Sequence, residues 1–457
     1  MEAKEIIAEL VEKSRAAQRE FEKFSQEKTD EIVRAIAKTV FDNADPLAKM
    51  AAEETRMGVY ADKIKKNMGK SKIIWNSLKG VKSKGIISRD EESGIVEVAR
   101  PVGVVGAVTP CTNPIVTPMC NAMFALKGGN SIIIGPHPRA KKCSAETVRL
   151  INEAIKALGA PDNLIQIIEE PTVELSSELM KAVDVVVATG GMPMVKSAYS
   201  SGKPAYGVGV GNVQCIIDRG VDYTEAVPKI IAGREFDNGI ICSGEQTAIL
   251  PREQYDEIIA EFVKNGCFYI DDEATVANIT DTLFPNGVMN KNLVGMSALK
   301  VAEACGIEVP ENTRVIILRA PFAGKGCLLS KEKMCPVISA YAYDTFEEAV
   351  AIAQSNLDVD GRGHSVSIHS NNKENVEYAG ETLTVSRVLI NQICSTQNGG
   401  AFTNSLTPTT TLGCASWGNN SISENFSYKH LLNVIRIAYP KKNAYTPTDD
   451  EVWGSWI

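Results

Sequence analysis

Short β-branched runs alternate with helical stretches along this chain, and the alternation limits its fold more than any other feature. The runs cover residues 102–108, 131–134, 164–168 and 183–187, and a helical stretch lies at 140–157. Strands and helices in this order are typical of a parallel sheet of Rossmann type with helices on its faces. We therefore predict an α/β fold built on such a sheet.

The alternation restarts after about residue 222, which predicts a second α/β domain. The predicted elements are helices at 224–235, 252–265 and 346–354 and extended runs at 242–250, 314–318 and 334–343.

Other segments flank the two predicted sheets. The first 80 residues carry apolar side chains at helical spacing, and residues 85–100 form a predicted hairpin. From Tyr428 we predict a helix and then a polar tail. The apolar residues Trp453, Trp456 and Ile457 of this tail indicate docking, which we expect at a subunit interface.

The sequence thus divides into three parts. Residues 1–222, including the hairpin at 85–100, form the first domain, and residues 223–411 form the second. Residues 412–457 are expected to return to the first domain and to supply an oligomerisation tail.

Charge and composition argue against two classes of partner. Lys and Arg number 48 against 56 Asp and Glu, a net charge of −8, which argues against non-specific nucleic-acid binding. No run approaches the roughly 18 apolar residues of a membrane span. The start of the chain, Met1 to Lys13, lacks the apolar block of a signal peptide.

The cysteines and histidines bear on compartment and metals. Eleven cysteines are scattered without a CxxC pair, as expected of reduced thiols in the cytoplasm. The four histidines show no metal-ligand spacing, so no metal site is expected.

Cys242 is a candidate nucleophile. It stands between small polar residues just after a helical segment. Backbone amides or a helix N-terminus lower the pKa of a thiol at such a place. A buried structural cysteine is the alternative, and position alone does not choose among the eleven.

Asn113 lies in a loop stiffened by Pro110, Pro114 and Pro118, directly after a predicted strand. Doubly wound sheets bind ligands at the carboxyl ends of their strands. The Asn113 amide is suited to holding an oxyanion, although Asn before Pro is equally expected as a turn former.

Two further segments suggest nucleotide binding. Neither Thr189-Gly190-Gly191 nor the glycine cluster at 207–211 is the GxGxxG fingerprint, so tight turns remain the alternative. The cations of residues 137–142 follow a strand and open a helix, which favours a nucleotide phosphate there over a solvated surface run.

Together these residues resemble the coenzyme A-acylating branch of the aldehyde dehydrogenase superfamily. The matching motifs are Thr109-Pro-Cys-Thr-Asn-Pro114, Gly135-Pro-His-Pro-Arg-Ala140, Ala188-Thr-Gly-Gly191, Ala205-Tyr-Gly-Val-Gly-Val-Gly-Asn212, Asp237-Asn-Gly-Ile-Ile-Cys242, Lys331-Glu-Lys-Met-Cys-Pro-Val337, Gly361-Arg-Gly-His364 and Thr410-Thr-Leu-Gly-Cys-Ala-Ser-Trp-Gly418. Within the branch, residues 113–121, 198–212 and 421–425 are most similar to coenzyme A-dependent succinate-semialdehyde dehydrogenases.

The resemblance implies a cofactor domain over 1–222 and a catalytic domain over 223–411, with roles for individual residues. Cys242 matches the nucleophile, Asn113 the oxyanion-hole side chain, and His364 a histidine suspected of activating the coenzyme A thiol. Glu332 matches the glutamate that holds the nicotinamide ribose. The other implied cofactor contacts are Thr189, Gly190, Gly191, Gly209, Gly211, Pro136, His137, Arg139, Thr109 and Pro110. The implied substrate contacts are Thr112, Arg362 and Ser395.

A missing residue is informative as well. Hydrolytic relatives activate water with a glutamate where this chain has Gly207, and their adenosine-ribose lysine is replaced by Gly135. A general base contributes about 10²–10⁴-fold, whereas a thiol is intrinsically nucleophilic. We therefore expect the acyl-enzyme to react with coenzyme A rather than with water.

The chain also departs from the branch near the expected acyl pocket. Ala415 stands where glycine is more frequent, Arg362 where a neutral residue is, and residues 394–400 differ from the usual Thr- and Ala-rich version. Arg362 is either a bidentate partner of a substrate carboxylate or a surface charge.

The resemblance implies a homodimeric or larger enzyme that interconverts succinate semialdehyde with succinyl-CoA, using NAD or NADP and coenzyme A. Acetaldehyde or another short neutral aldehyde is the alternative substrate. A non-enzymatic nucleotide-binding protein is a third hypothesis, against which the presence of both Cys242 and Asn113 counts. No fused alcohol dehydrogenase, present in some relatives, is expected.

Overall fold

The computed structural model describes residues 2–454 of the chain. Trp456 and Ile457, two apolar residues of the predicted docking tail, lie outside the described residues. The helices are α1 (Ala3–Phe21), α2 (Gln26–Asp42), α3 (Ala44–Thr55), α4 (Tyr60–Leu78), α5 (Val116–Lys127), α6 (Lys141–Lys156), α7 (Val173–Ala182), α8 (Met192–Tyr199), α9 (Tyr223–Glu235), α10 (Tyr255–Lys264), α11 (Glu273–Leu283), α12 (Ala298–Cys305), α13 (Phe346–Val359), α14 (Lys373–Thr382), α15 (Cys394–Gln397) and α16 (Asp449–Trp453).

The strands form three sheets. They are β1 (Gly85–Asp90), β2 (Ile95–Pro101), β3 (Val104–Val108), β4 (Ser131–Gly135), β5 (Ile165–Ile167), β6 (Val185–Thr189), β7 (Ala205–Val208), β8 (Gln214–Ile217), β9 (Thr247–Pro251), β10 (Cys267–Ile270), β11 (Val315–Arg319), β12 (Val337–Tyr343), β13 (Val366–His369), β14 (Val388–Ile390) and β15 (Leu432–Ala438).

The first predicted sheet is present and entirely parallel, in the order β5-β4-β3-β6-β7. Its central strand β3 is buried along its whole length, as expected of a sheet covered on both faces. Helices α1 and α7 cover one face, while α2, α5 and α6 cover the other. This confirms the α/β fold predicted from the sequence.

The second predicted sheet has seven strands in the order β10-β11-β12-β9-β8-β13-β14, all parallel. Strand β8 pairs with β9 and β13 in this sheet. The domain boundary placed at residue 222 is therefore wrong by one strand, because β8 already belongs to the second domain. The chain crosses between the domains in the glycine-rich segment 209–213.

The predicted hairpin is part of a larger sheet. Strands β1 and β2 pair antiparallel, and β15 pairs with the other edge of β2. The helix predicted from Tyr428 is wrong beyond a short 3₁₀ turn at Tyr428–Leu431, because Leu432–Ala438 is strand β15. Upstream of β15, Phe426 and Leu431 pack into the core of the first domain.

The carboxyl ends of β3, β4 and β6 lie next to each other, at the edge of the first sheet that faces the second domain. The strand order reverses about β3, since β4 and β5 follow on one side and β6 and β7 on the other. A parallel sheet binds ligands at such a switch point. No helix within residues 2–454 is long and apolar enough to cross a membrane.

Candidate active site

Cys242 and Asn113 line one cavity of about 440 Å³ between the two domains. Asn113 is supplied by the loop between β3 and α5, and Cys242 by the loop between α9 and β9. Ser395, a predicted substrate contact, also lines the cavity, and its buried hydroxyl has no hydrogen-bond partner. The structure thus brings together three residues that are far apart in the sequence.

The loop that carries Cys242 lies tightly against the glycine-rich crossing between the domains. A Cβ on Gly211 would lie 2.0 Å from the carbonyl oxygen of Cys242, which is far inside van der Waals contact. A side chain at position 211 would therefore displace the nucleophile loop. Gly211 is required here for close approach and not for a positive φ.

The thiol of Cys242 is partly buried against Val208, Leu412 and Cys414. Burial and the nearby Glu332 raise the pKa of Cys242 to about 12, while Arg387 acts in the opposite direction. These three contacts are apolar, and the acid that acts on the thiol is Glu332. At Gly207, where hydrolytic relatives have their glutamate, an added Cβ would lie within 3 Å of Val195 and Tyr199.

Glu332 adjoins the nucleophile. One carboxylate oxygen accepts from the amide of Gly211 at 3.3 Å, and the Glu332 amide donates to Asp360 at 3.2 Å. Burial and the negative charge of Asp360 raise the pKa of Glu332 to about 8. The carboxylate has no cationic partner within hydrogen-bond distance among the described residues, so it is available to a ligand hydroxyl.

A second cleft, of about 240 Å³, is lined by Cys414, one of the residues packed against Cys242. Gly209 and Arg362 line it, together with Asp358, Asp360 and Cys414. Thr189 ends β6, and Gly190 and Gly191 lead into the N-terminus of α8. In the first turn of α8, Pro193 has no N–H, and the amides of Met194 and Val195 donate to the carbonyl of Gly191. The carboxylate of Glu332 suits the hydroxyls of a dinucleotide, and the glycines after β6 leave room for its phosphates close to the backbone.

The predicted basic cluster lies at the carboxyl end of β4, beside Thr109 and Pro110 after β3. The amides of Lys142 and Cys143, which open α6, donate to the carboxylate of Glu54. Arg139 is exposed and donates to the carbonyl of Thr55 at 3.2 Å. The helix start is therefore capped within the protein, and a phosphate near Pro136 and His137 would depend on side-chain charge.

His364 is fully buried and borders neither cleft. Neither ring nitrogen has a hydrogen-bond partner, and burial, with the positive charge of Arg387, lowers the pKa of His364 to about 3. The ring is neutral at physiological pH. Its sequence-predicted contact with a thiol would require movement of the surrounding chain.

Arg362 does not lie in the cavity that holds Cys242 and Asn113. Its guanidinium is about half exposed in the second cleft and pairs with Asp358 at 3.4 Å. Arg362 therefore lies outside the cavity of Cys242 in this structure, and its contact with a substrate carboxylate stays a prediction. Thr112 contributes a backbone carbonyl, which accepts from Lys66 at 3.4 Å.

The cations of the cavity come from helix α4 and were missed in the sequence. Lys65, Lys66 and Lys70 line it, and no acidic residue does so within the described chain. The Lys70 ammonium donates to the carbonyls of Gly399 at 2.9 Å and Thr409 at 3.2 Å. Burial lowers the pKa of Lys70 to about 8. The available signal was spacing, since Lys63, Lys66 and Lys70 share one helix face with Ile73.

Ala415, next to Cys414 of the second cleft, has a strained backbone with φ 53° and ψ −172°. This lies close to a region that only glycine enters readily. The family's more frequent glycine at this position thus has a conformational reason. Within residues 2–454, no group of three or more His, Cys, Asp or Glu is arranged to hold a metal ion.

Comparison with known proteins adds independent findings. Residues 2–266 match the sequence model of the aldehyde dehydrogenase family. The chain is 55% identical to the succinate-semialdehyde dehydrogenase (acetylating) of Clostridium kluyveri, over 98% of this chain and 99% of that protein.

Solved structures agree. An acetylating aldehyde dehydrogenase from Geobacillus thermoglucosidasius is 37% identical with a TM-score of 0.93, covering 97% of this chain and 98% of its own. A propionaldehyde dehydrogenase from Rhodopseudomonas palustris, solved with bound CoA and an acylated cysteine, is 28% identical with a TM-score of 0.85, covering 95% and 97%.

Proposed function

The chain belongs to the aldehyde dehydrogenase family, in its coenzyme A-acylating branch, and from this premise we propose that it interconverts succinate semialdehyde and succinyl-CoA. The reaction class follows from the similarity to acylating relatives over nearly the whole chain. The cofactor is NAD or NADP, and coenzyme A is the co-substrate. The similar protein from Clostridium kluyveri is named for the same aldehyde.

The observation that carries the choice of substrate is Lys70. Its ammonium lies in the cavity with Cys242 and is bonded only to two carbonyl oxygens. A buried cation without an acidic partner is costly unless a ligand supplies the opposite charge. The carboxylate at the far end of succinate semialdehyde would do so, while its aldehyde carbon faces the thiol.

The chain's own groups account for the first half of the reaction. Cys242 as thiolate attacks the aldehyde carbon, and the Asn113 amide donates to the oxyanion that forms. Bound NAD or NADP supplies the acceptor for the hydride that leaves this carbon. Glu332 and the glycine turn Gly190-Gly191 would hold that cofactor, and the product on the enzyme is a thioester of Cys242.

The second half replaces the enzyme thiol by coenzyme A. Coenzyme A, its thiol proton lost to solvent, attacks the thioester carbonyl as the thiolate. Cys242 then leaves as thiolate, and Asn113 again faces the oxyanion. At position 207, where hydrolytic relatives have the glutamate that activates water, this chain has a glycine. Thiolysis needs less assistance than hydrolysis because a thiol is intrinsically the stronger nucleophile.

A short neutral aldehyde remains the second candidate substrate. Ile73, Val116 and Phe402 give the cavity an apolar part that would accept an alkyl chain without any charge. This candidate leaves Lys70 without a partner, which is why we favour the carboxylate.

We also propose a homodimer or larger assembly in the cytoplasm. Ile435 and Ile437 are 50% and 41% exposed on strand β15, and Trp453 is 71% exposed beyond it. Exposed apolar side chains on an edge strand favour pairing with another copy. All eleven cysteines are free thiols, which supports a reducing compartment.

The test is an absorbance assay of reduced cofactor with succinate semialdehyde and with butyraldehyde, a neutral aldehyde of equal carbon number. Each is assayed with and without coenzyme A, in NAD⁺ and in NADP⁺. We expect turnover only with coenzyme A and a higher kcat/KM for succinate semialdehyde. Equal turnover without coenzyme A would mean that water deacylates Cys242, and a preference for butyraldehyde would overturn the substrate.

A further inference from the structure

Lys66 contacts both loops that build the reaction centre. Its ammonium lies 2.6 Å from a carboxylate oxygen of Asp237, in the loop that leads to Cys242. The same nitrogen donates to the carbonyl of Thr112 at 3.4 Å, one residue before Asn113. One side chain on α4 therefore joins the nucleophile loop of the second domain to the oxyanion loop of the first.

The nucleophile loop needs such support because its backbone is strained. Asp237, Asn238 and Gly239 have φ of 52°, 54° and 69°, and the left-handed region is unfavourable for the two non-glycine residues. Strain of this kind persists only where the surroundings fix the backbone. The turn ends three residues before Cys242, so its conformation decides where the thiol lies.

Contacts of Asp237 hold this turn. Its carboxylate is fully buried and accepts from Lys63, from Lys66 and from the amide of Val59. Burial opposes ionisation, but the two ammonium groups and the amide hold the pKa of Asp237 below its ordinary value. One carboxylate thus faces two cations, and the amide of Asp237 donates to the carboxylate of Asp62 at 3.0 Å.

Lys66 and Asn113 also face each other. Both line the substrate cavity, and both line a separate void of about 10 Å³ beside Lys63 and Asn67. A void of this size holds about one water molecule. The backbone on one side of this small space carries the proposed oxyanion donor, so a shift of Lys66 would be transmitted to Asn113.

We propose that Lys66 is a positioning residue that fixes the Asn113 amide relative to the Cys242 thiol by bonding to Thr112 and Asp237 at once. The proposal rests on the proposed role of Asn113 as the oxyanion donor. Lys63 shares Asp237 but has no contact with Thr112, and Lys70 contacts neither loop partner. Of these three lysines, Lys66 alone links the two loops. Its removal should therefore weaken oxyanion stabilisation and leave the reactivity of the thiol unchanged.

The experiment is a double-mutant cycle of Lys66→Met and Asn113→Ala on the full chain. Loss of an oxyanion donor costs about 10²–10³-fold in kcat. A misplacement of about 1 Å costs about 10²-fold, which we expect for Lys66→Met. Because Lys66 acts through Asn113, the double variant should be no slower than Asn113→Ala alone; multiplied losses would overturn the proposal.

Two further readouts separate positioning from other roles. Lys66→Met should lower kcat for succinate semialdehyde and for butyraldehyde by the same factor and leave the cofactor KM unchanged. Alkylation of Cys242 by iodoacetamide, which forms no oxyanion, should keep its rate. Equal losses in alkylation and turnover would mean that Lys66 acts on the thiol, and a loss confined to the charged aldehyde would mean that it binds substrate. Either result overturns the proposal.

Matched variants guard against misfolding. Lys63→Met leaves the link from Asp237 through Lys66 to Thr112 intact and should cost much less turnover than Lys66→Met. Lys66→Arg keeps the charge and the donors and should restore part of the activity. If Lys63→Met lowers turnover as much as Lys66→Met, or if Lys66→Arg restores no activity, the link from Asp237 through Lys66 to Thr112 does not control turnover. If Asn113→Ala has no effect, the oxyanion role of Asn113 fails instead.

Discussion

The cavity that holds Cys242 and the second cleft, which is lined by the neighbouring Cys414, differ in charge. The cavity on the side of Asn113 contains lysines and no acid among its described walls, and its inner cation, Lys70, is bonded only to carbonyl groups. The cleft on the side of Gly209 contains Asp358 and Asp360, with one arginine that already has a carboxylate partner.

This difference in charge indicates which part of the substrate or the cofactor binds in each cleft. The cationic cavity suits a carboxylate, and the proposed substrate has one at the end away from its aldehyde. Acids near Glu332 suit hydroxyl groups, which donate to carboxylates, whereas phosphates must be held elsewhere. The glycine turn after β6, Gly190-Gly191, is the proposed place, since the amides that open α6 are capped by Glu54.

The largest effect is expected when Lys70 is removed from the cationic cavity. Lys70→Met should lower kcat/KM for succinate semialdehyde about 10²-fold, the value of one hydrogen-bonded charge pair in a partly buried site. The kcat/KM of butyraldehyde should stay unchanged, because it offers no charge to Lys70. Arg362→Gln is the matched control, and its effect on either aldehyde should be slight. Equal losses for both aldehydes with Lys70→Met would exclude Lys70 as the carboxylate partner.

Replacing Glu332 by a neutral residue should change the reactivity of the Cys242 thiol and the rate of aldehyde oxidation in opposite directions. Glu332 raises the pKa of Cys242, so Glu332→Gln should increase the thiolate fraction and speed alkylation by iodoacetamide at pH 8 up to about tenfold. Aldehyde oxidation should fall, mainly through a higher cofactor KM. Slower alkylation would show that Glu332 instead takes the thiol proton.

The charge of Lys70 should also be visible in the pH dependence of KM. Because burial lowers its pKa to about 8, Lys70 is charged below pH 8 and loses its proton above it. The KM for succinate semialdehyde should therefore rise several-fold between pH 7 and pH 9, whereas that for butyraldehyde should not. A parallel rise for both would assign the titration to a group shared by both reactions.

The smallest effect on activity is expected at Ala415, which adjoins the second cleft without lining it. Ala415→Gly removes a side chain from a left-handed backbone and should raise the free energy of unfolding by about 1 kcal/mol. Thermal denaturation measures this, and turnover should stay the same. An unchanged or lower Tm would mean that Ala415 is not strained in solution.

Much of the fold was predictable because it depends on local patterns. The buried runs at β3, β4 and β6 and the helices between them identified the first sheet directly. Strand β15 was missed because Leu432–Ala438 has no buried face of its own and becomes a strand only through pairing with β2. The boundary error at β8 has a similar cause, since the partners of β8 come later in the chain.

The site was predictable where residues act through their own chemistry. Cys242 and Asn113 were assigned through the motifs shared with a known family, and both line the cavity. Lys66 and Lys70 were missed because their partners are remote. Lys66 and Asp237 are 171 positions apart, and Lys70 and Thr409 are 339 apart. Only tertiary packing turns these lysines inward.

The late pairing of β15 has a consequence for biosynthesis. Asn433 and Pro101 bond across 332 positions of sequence, so the ribosome completes both α/β domains before β15 can reach β2. Until then one edge of β2 exposes unpaired amide and carbonyl groups on the nascent polypeptide, a template for wrong pairing between neighbouring chains on a polysome. The three-stranded sheet is thus the step at which we expect chaperone dependence to be greatest.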